Sequence, residues 1–438
     1  MNINIQDFLN KNKFSGFQWL VFALCFLIVL LDGFDTAAIG YIAPSLLKEW
    51  GIAKPDLAPV LSAALFGLAG GAFVAGPLAD SFGRRLVLIL SVVLFGGACF
   101  ASSLAASLHD LTILRFITGL GLGAAMPNAI TLVSEYCPDK KRSMITNAMF
   151  CAFPLGAACG GFLAAEMIPA YGWRSVLQLG GVAPLLLAVV LVMALPESIR
   201  LLVTKNAAID KIRTLMMRIS PDASAAKSFS ISEPVSVYKN GATLVLSPKF
   251  AVGTLMLWLT YFMGLVIFYA LINWMPILFE EAKIDPKTAK LISALFPLGG
   301  VGAILSGWLM DRTNSNWVVS LTYALTAIFI YIIGQSVGSL GLLMVAVFAA
   351  GIVMNTAQCS MPSLAASFYP TQGRATGVAW MLAIGRFGAI LSTFLVAELI
   401  RRKMGFGDIF AIIAIPAAIA AIAIAVKQLV HPEHKITG

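Results

Sequence analysis

Two aspartates stand three residues apart in an otherwise apolar stretch, Leu31-Asp32-Gly33-Phe34-Asp35. On a helix that spacing turns both carboxyls to one face. A helix starting near residue 17 carries Asp32 about 22 Å along its axis. If that helix crosses a membrane, the carboxyl lies deep in hydrocarbon, where a charge costs at least about 2.5–3.5 kcal/mol and has to face a cavity or a partner. Desolvation favours the neutral form of a carboxyl, which suits a group that binds and releases protons. One reading is therefore a proton carrier, the two acids titrating as a coupled pair if both approach one pocket. The other is a fixed salt bridge to Arg386 or Arg115. The default for an acid inside a membrane favours the first.

Arg386, in Gly385-Arg386-Phe387-Gly388, also falls near the middle of an apolar run. A guanidinium stays charged and grips a carboxylate with two parallel hydrogen bonds. Arg386 either clamps an anionic substrate or neutralises Asp32 or Asp35, and the two roles can alternate. Arg115 lies near the end of its run, where snorkelling to the interface competes with proton relay or gating. The amides of Asn355 and Gln358 sit near mid-depth, and an amide in hydrocarbon needs a reason. Phe34, Tyr261, Phe262, Tyr269 and Trp380 offer stacking faces for an aromatic ring beside a cation and amide donors. Helix packing is the competing reading of each ring, and an interface anchor that of Trp274.

Asp80 and Asp311 each close an apolar run. An acid at a helix C-terminus opposes that helix's dipole and needs compensation. Arg84 and Arg85 could compensate Asp80, as could the helix opening at Arg374-Ala375, with Ser143-Met144 the symmetric candidate for Asp311. Contacts that form when an inner gate shuts and break when it opens are a bistable element; a static loop anchor is the alternative. Gly119 and Gly123, spaced four apart, form a small-residue face for close helix packing. They do not make a dinucleotide loop, because no strand precedes them.

The elements that position these residues follow from composition. Of 438 residues, 59% are hydrophobic and 12% charged, and the mean hydropathy is +0.89. A water-soluble core cannot hide so much apolar surface, so a soluble enzyme, a disordered chain and a disulfide scaffold are excluded. Twelve runs are long enough to span a bilayer: about 17–46, 57–79, 86–107, 111–135, 144–168, 174–195, 251–279, 286–310, 317–336, 339–368, 375–399 and 406–426. Each is helical, since lipid offers an open backbone no partner. The expected organisation is a six-helix bundle over 1–195, a cytoplasmic linker with short surface helices over 196–250, and a second six-helix bundle with a cytoplasmic tail over 251–438. The start, MNINIQDFLNKNK, is polar and carries no cleavable signal.

With the N-terminus inside, cytoplasmic segments hold nineteen Lys and Arg and external ones nine, which places both termini in the cytoplasm. Arg401-Arg402-Lys403 is an external exception. The net charge of +9 reflects this bias and calls for no nucleic acid. Six cysteines and three histidines form no CxxC or ligand cluster, so neither metal nor cofactor is expected. The halves repeat. GPLADSFGRR at 76–85 matches GWLMDRTNSN at 307–316, displaced by 231, and Pro138 and Arg142 match Pro370 and Arg374, displaced by 232. Such repeats are a transporter signature. The same offset lands Asp32 on Met263 and Asp35 on Val266, so the acids belong to one half only.

Twelve spans in two repeats, with GPLADSFGRR between the second and third, resemble the major facilitator superfamily, and LRFITGLGLGAAMPN resembles its fourth-helix motif with its arginine, here Arg115. LDGFDTAAIGYIAPSL, SEYCPDKKRS, IPAYGWRS, LPESIRLL, NTAQCSMPSLAASFYP and YPTQGRATGVAWMLAIGRFGAI resemble the aromatic acid:proton symporter family, above all its bacterial permeases of the 4-hydroxybenzoate and protocatechuate type. The resemblance implies uptake of a benzoate-type acid with protons across the bacterial inner membrane, feeding aromatic catabolism. It carries a first-helix acid pair onto Asp32 and Asp35, the gating acid onto Asp80 and its second-half counterpart onto Asp311, and the eleventh-helix arginine onto Arg386; Gly83, Arg84, Arg85, Arg115, Arg142 and Arg374 complete the expected gating set. Ser81 stands where the loop motif usually has Arg, and the second-half motif lacks its GRR ending. The expectation is a monomeric, non-enzymatic symporter that works in the lipid bilayer. A facilitator for another organic anion and a permease-like sensor are the rivals; no sizeable signalling domain supports the latter.

Overall fold

Long apolar runs leave the backbone no partner but itself, so the chain is helical almost throughout. A computed structural model describes residues 2–231, 241–302 and 313–432, less the side chains at 80, 143, 147, 241, 242, 371, 372 and 375. A short strand, β1 (Asn2–Asn4), leads into α1 (Ile5–Lys11). Six long helices follow: α2 (Gly16–Trp50), α3 (Ala58–Phe82), α4 (Arg84–Ser102), α5 (Leu108–Glu135), α6 (Asp139–Tyr171) and α7 (Arg174–Ala194). The middle of the chain carries α8 (Ile199–Thr204), α9 (Ile209–Met217), β2 (Ser228–Ser230) and α10 (Gly241–Val245). Then come α11 (Pro248–Glu281), α12 (Pro286–Leu298), α13 (Ser315–Gln335), α14 (Leu340–Phe368), α15 (Thr371–Arg401) and α16 (Phe406–Val430).

Eleven of these helices are long and apolar enough to cross a membrane among the described residues. The run expected at 286–310 is helical over Pro286–Leu298 and a 3-10 turn over Gly299–Gly302; its remainder lies outside the described residues. At about 1.5 Å per residue, 35-residue α2 is some 52 Å long, well beyond a 30 Å hydrocarbon core. Polar side chains cap the first turns of helices. Ser107 caps α5 through the amide of Asp110 at 3.1 Å. Asp285 caps α12 through Lys287 and Thr288, both at 3.1 Å; these amide bonds, that to Thr288 foremost, hold its carboxyl below the usual range. Large apolar side chains such as Phe73, Met193 and Phe387 stay exposed, as lipid-facing groups do.

Packing divides the chain into two units: Met1–Gly33, Phe66–Gly156 and Leu177–Val235 form one, and Phe34–Leu65, Ala157–Val176 and Ser236–Gly438 the other. In the first unit α4 lies along α5, and Gly123 rests on the backbone carbonyl of Leu68, the close approach expected of that glycine face. The polar start of the chain is not a free tail. β1 pairs in parallel with β2, and Ile3, Ile5, Phe8 and Leu9 join Ile199, Leu202, Ile212 and Met216 in one buried cluster. In the second unit α11 packs on α15 and α16, and α13 on α14 and α16. Trp274 is fully buried there, which rules out the interface anchor: its indole sits in helix packing and not at a lipid headgroup.

Candidate functional site

On α2, Asp32 is the seventeenth of 35 residues, so its carboxyl starts near the helix centre. Asp32 is 1% exposed and Asp35 0%. On α5, Arg115 is 0% exposed, which excludes a snorkelling side chain, since that would hold its guanidinium at the interface. None of the three is free: each is engaged by a neighbouring group. Phe34, between the acids, lies against Gly160 of α6 with its ring near the space a Cβ would take.

The second unit brings four helices to one polar cluster. From α11, the Tyr261 ring packs over Gly385 of α15, one residue before Arg386, and the phenol feels the guanidinium's charge. From α14, Gln358 lies near the Tyr261 hydroxyl. From α13, the Tyr323 hydroxyl donates to Gln358 Oε1 at 2.9 Å. Gln358 Nε2 and Trp258 Nε1 are buried without a hydrogen-bond partner. Leaving such a donor unmet costs about 1–3 kcal/mol, a cost a ligand acceptor would remove. Trp258 meets Trp380 edge-on at 6.1 Å. Arg386 is half-buried. Phe262 sets its backbone against Gly388, and Tyr269 stacks edge-on with Phe268 at 5.5 Å. Asn355 differs from Gln358. Its Nδ2 donates to Gly351 O at 2.8 Å and Phe296 O at 3.3 Å, so both amide hydrogens tie α14 to itself and to α12.

A third cluster sits at the end of the first unit that holds the N-terminus. Gly83 has φ +104°, a region nearly closed to side chains. Glu197 Oε1 accepts from the amides of Arg84 at 2.9 Å and Arg85 at 3.2 Å, capping α4 where its dipole is positive. Arg84 pairs with Glu135, Ser198 donates to the same carboxylate, and Arg85 donates to Val192 O. Tyr136 donates to Glu197 O at 2.6 Å, and burial pushes its phenol well up. Arg142 ion-pairs with Asp139 at 2.9 Å. Both Arg142 and Arg200 donate to Gln6 Oε1, at 2.9 and 2.7 Å. Arg374 is exposed. The side chain of Asp80 and the whole of Asp311 lie outside the described residues, as do their expected contacts. The described partners of the Arg84 and Arg85 guanidinium groups are therefore Glu135 and a carbonyl. Glu135, Glu197, Gln6 and Tyr323 escaped sequence reasoning. Glu135 closes α5, so the dipole argument used for Asp80 applies to it equally.

Within the second unit, ion pairs join segments distant in sequence. Glu280 binds Lys48 at 3.0 Å and buried Lys290 at 3.2 Å. Glu281 meets Lys54 at 2.8 Å and Glu166 meets Lys287 at 2.7 Å. No group of three metal-ligating side chains occurs among the described residues.

Membrane helices that carry buried charges and end in capped loops suit solute passage, and the sequence profile of the Major Facilitator Superfamily matches residues 25–393 and 257–437. The chain belongs to the Major Facilitator Superfamily. The superfamily's twelve-helix fold accounts for the eleven described spans and the partly described eighth, and its members are transporters, not enzymes. The chain is 50% identical over 432 residues to a protein of Pseudomonas putida named 4-hydroxybenzoate transporter PcaK, covering 98% of this chain and 96% of that one. It is 43% identical to a gallate transporter of the same organism, over 96% and 94% of the two chains. Among solved superfamily structures, the partially occluded, inward open xylose transporter XylE from E. coli superposes with a TM-score of 0.74 at 18% identity, over 93% of this chain and 97% of that one. At that identity the likeness is one of fold.

Proposed function

We propose that this chain imports a hydroxybenzoate-type aromatic acid together with protons across the bacterial inner membrane, as a monomer with both termini in the cytoplasm. The observation that carries the substrate class is the near-full-length 50% identity to a protein named for 4-hydroxybenzoate transport. Two fully buried carboxyls in mid-helix support the proton, because an ionised acid there is costly and a proton removes the charge. The Lys and Arg bias supports the orientation.

Protonation of Asp32 or Asp35 lowers the negative charge of the membrane interior before an anion enters it. Arg386 then takes the substrate carboxylate, and the Gln358 amide and the Asn355 amide oxygen serve the polar groups on the ring. Tyr261, Phe262, Tyr269, Phe34 and Trp380 serve the ring. Coupling requires that proton and acid together favour the transition between inward and outward states more than either does alone. The Gly83-Arg84-Arg85 loop, with Asp80, Arg142, Arg374 and Asp311, gates the cytoplasmic side, Arg115 acts in gating or proton relay nearer the external end of α5, and the Glu280 and Glu281 ion pairs hold the external side. Proteoliposome uptake of labelled 4-hydroxybenzoate tests the reading. An inward-directed proton gradient raises initial uptake several-fold and a protonophore abolishes the rise. Uptake indifferent to the gradient removes proton coupling, and absence of uptake removes the substrate.

A further inference from the structure

Tyr323 reaches this polar cluster from α13, a helix that contributes none of the expected substrate contacts. Its phenol is fully buried, so its hydrogen needs an acceptor, and Gln358 Oε1 is the acceptor it meets, at 2.9 Å. That bond fixes the amide with Nε2 as its outward group. Nε2 is buried and has no partner at hydrogen-bonding geometry, and the Tyr261 phenol is the polar group beside the Gln358 amide. The chain leaves room for this arrangement at Gly264, where a Cβ would come to 2.2 Å from Gln358 Oε1 and 2.5 Å from the Tyr323 hydroxyl.

A carboxylate, which only accepts, would leave the accepting capacity of the Tyr261 oxygen unused beside the amide donor. The pair is the complement of a phenol, which donates and accepts once each. We propose that Tyr323 is a positioning residue that holds Gln358 so that Gln358 Nε2 and the Tyr261 oxygen together read a ring hydroxyl of the transported acid. The inference rests on the aromatic-acid reading above and adds how hydroxylated and plain benzoates are told apart. The carboxylate stays with Arg386, so the two ends of the substrate are recognised by different groups. A site built to bond a hydroxyl discriminates strongly against the analogue that lacks one, because its own polar groups are then left unmet.

The test measures KM and Vmax for labelled 4-hydroxybenzoate, and the inhibition constant of unlabelled benzoate, in proteoliposomes. The wild-type chain is compared with Tyr323→Phe, Gln358→Met and Gly264→Ala. Tyr323→Phe and Gln358→Met raise the 4-hydroxybenzoate KM about tenfold, hold Vmax within about twofold, and leave the benzoate constant unchanged. Gly264→Ala acts in the same direction by displacing the amide. If both constants rise by one factor, or neither moves, Tyr323 does no more than support packing and the proposal is overturned. Should Tyr323→Phe not yield folded protein, Gln358→Met decides by the same criterion. A wild-type chain that takes up no 4-hydroxybenzoate contradicts the transport reading itself, a result distinct from either.

Discussion

Replacing Gly83 by alanine perturbs the loop between α3 and α4 in two separable ways. The first is local: φ is +104°, and holding a side chain in such a region costs about 1–3 kcal/mol. The second is a collision. The new Cβ would lie 2.4 Å from Glu197 Oε2, so the carboxylate has to move, and with it go its bonds to the amides of Arg84 and Arg85. Each bond to a charged acceptor contributes about 1.5–3 kcal/mol, less here because Glu197 is only half-buried. Together the substitution costs about 3–6 kcal/mol. Thermal unfolding in detergent reads this as a fall in melting temperature of about 3–7 °C, alongside initial uptake in vesicles. Glu197→Ala alone loses the two bonds without strain. Adding Gly83→Ala to it costs only the strain, so the double variant is more stable than the sum of the singles implies. A Gly83→Ala protein that melts within about 2 °C of the wild type, or strict additivity in the cycle, would refute this account of the loop.

Glu280→Gln leaves the Lys290 ammonium, 3% exposed, without its counter-charge, and breaking a buried pair costs about 3–5 kcal/mol. The Lys48 partner is largely exposed and adds about 0–1 kcal/mol. Thermal unfolding shows the drop, and Glu280→Gln/Lys290→Met recovers most of it; no recovery would mean that the pair does not carry the effect. Leu9→Ala removes a side chain 1% exposed in the cluster that holds the chain's start to α8 and α9. It costs about 2–4 kcal/mol and makes residues 196–231 sensitive to protease in inside-out vesicles, where the wild type resists. Burial pushes the Cys137 thiol up to about 11, so roughly 0.03% is thiolate at pH 7.5. Maleimide leaves Cys137 unmodified in native membranes at that pH and reacts faster as pH rises; mass spectrometry of the peptide reads both.

The fold was legible because span length is a one-dimensional property: a run of twenty apolar residues has one solution in lipid. Asp32, Asp35 and Arg115 were legible for a related reason, since a charge inside such a run stands out against its neighbours and burial is its only available fate. Gln358 announced itself the same way. Asn355 carried the same signal but spends its donors on Gly351 and Phe296, a distinction that only packing can draw. Tyr323 was invisible: in Leu-Thr-Tyr-Ala-Leu-Thr a tyrosine reads as one more lipid-compatible ring, and its bond to Gln358 spans 35 residues. Glu135 and Glu197 drew no notice because their partners lie 51 and 113 residues away. The polar start of the chain misled for another reason. Its apolar residues Ile3, Ile5, Phe8 and Leu9 change from strand to helix spacing within seven positions, so no single period marks them.

Proton movement driven by the aromatic acid itself tests the central claim most directly. A chain-loaded vesicle suspension in weak buffer, with no imposed gradient, receives a pulse of 4-hydroxybenzoate at neutral pH while a dye reports the external pH. The account predicts a rise in external pH that tracks uptake of the labelled acid, is lost in Asp32→Asn and in Asp35→Asn, and is lost together with binding in Arg386→Gln. Acid uptake with no accompanying proton movement, or undiminished proton movement in both aspartate variants, would contradict it.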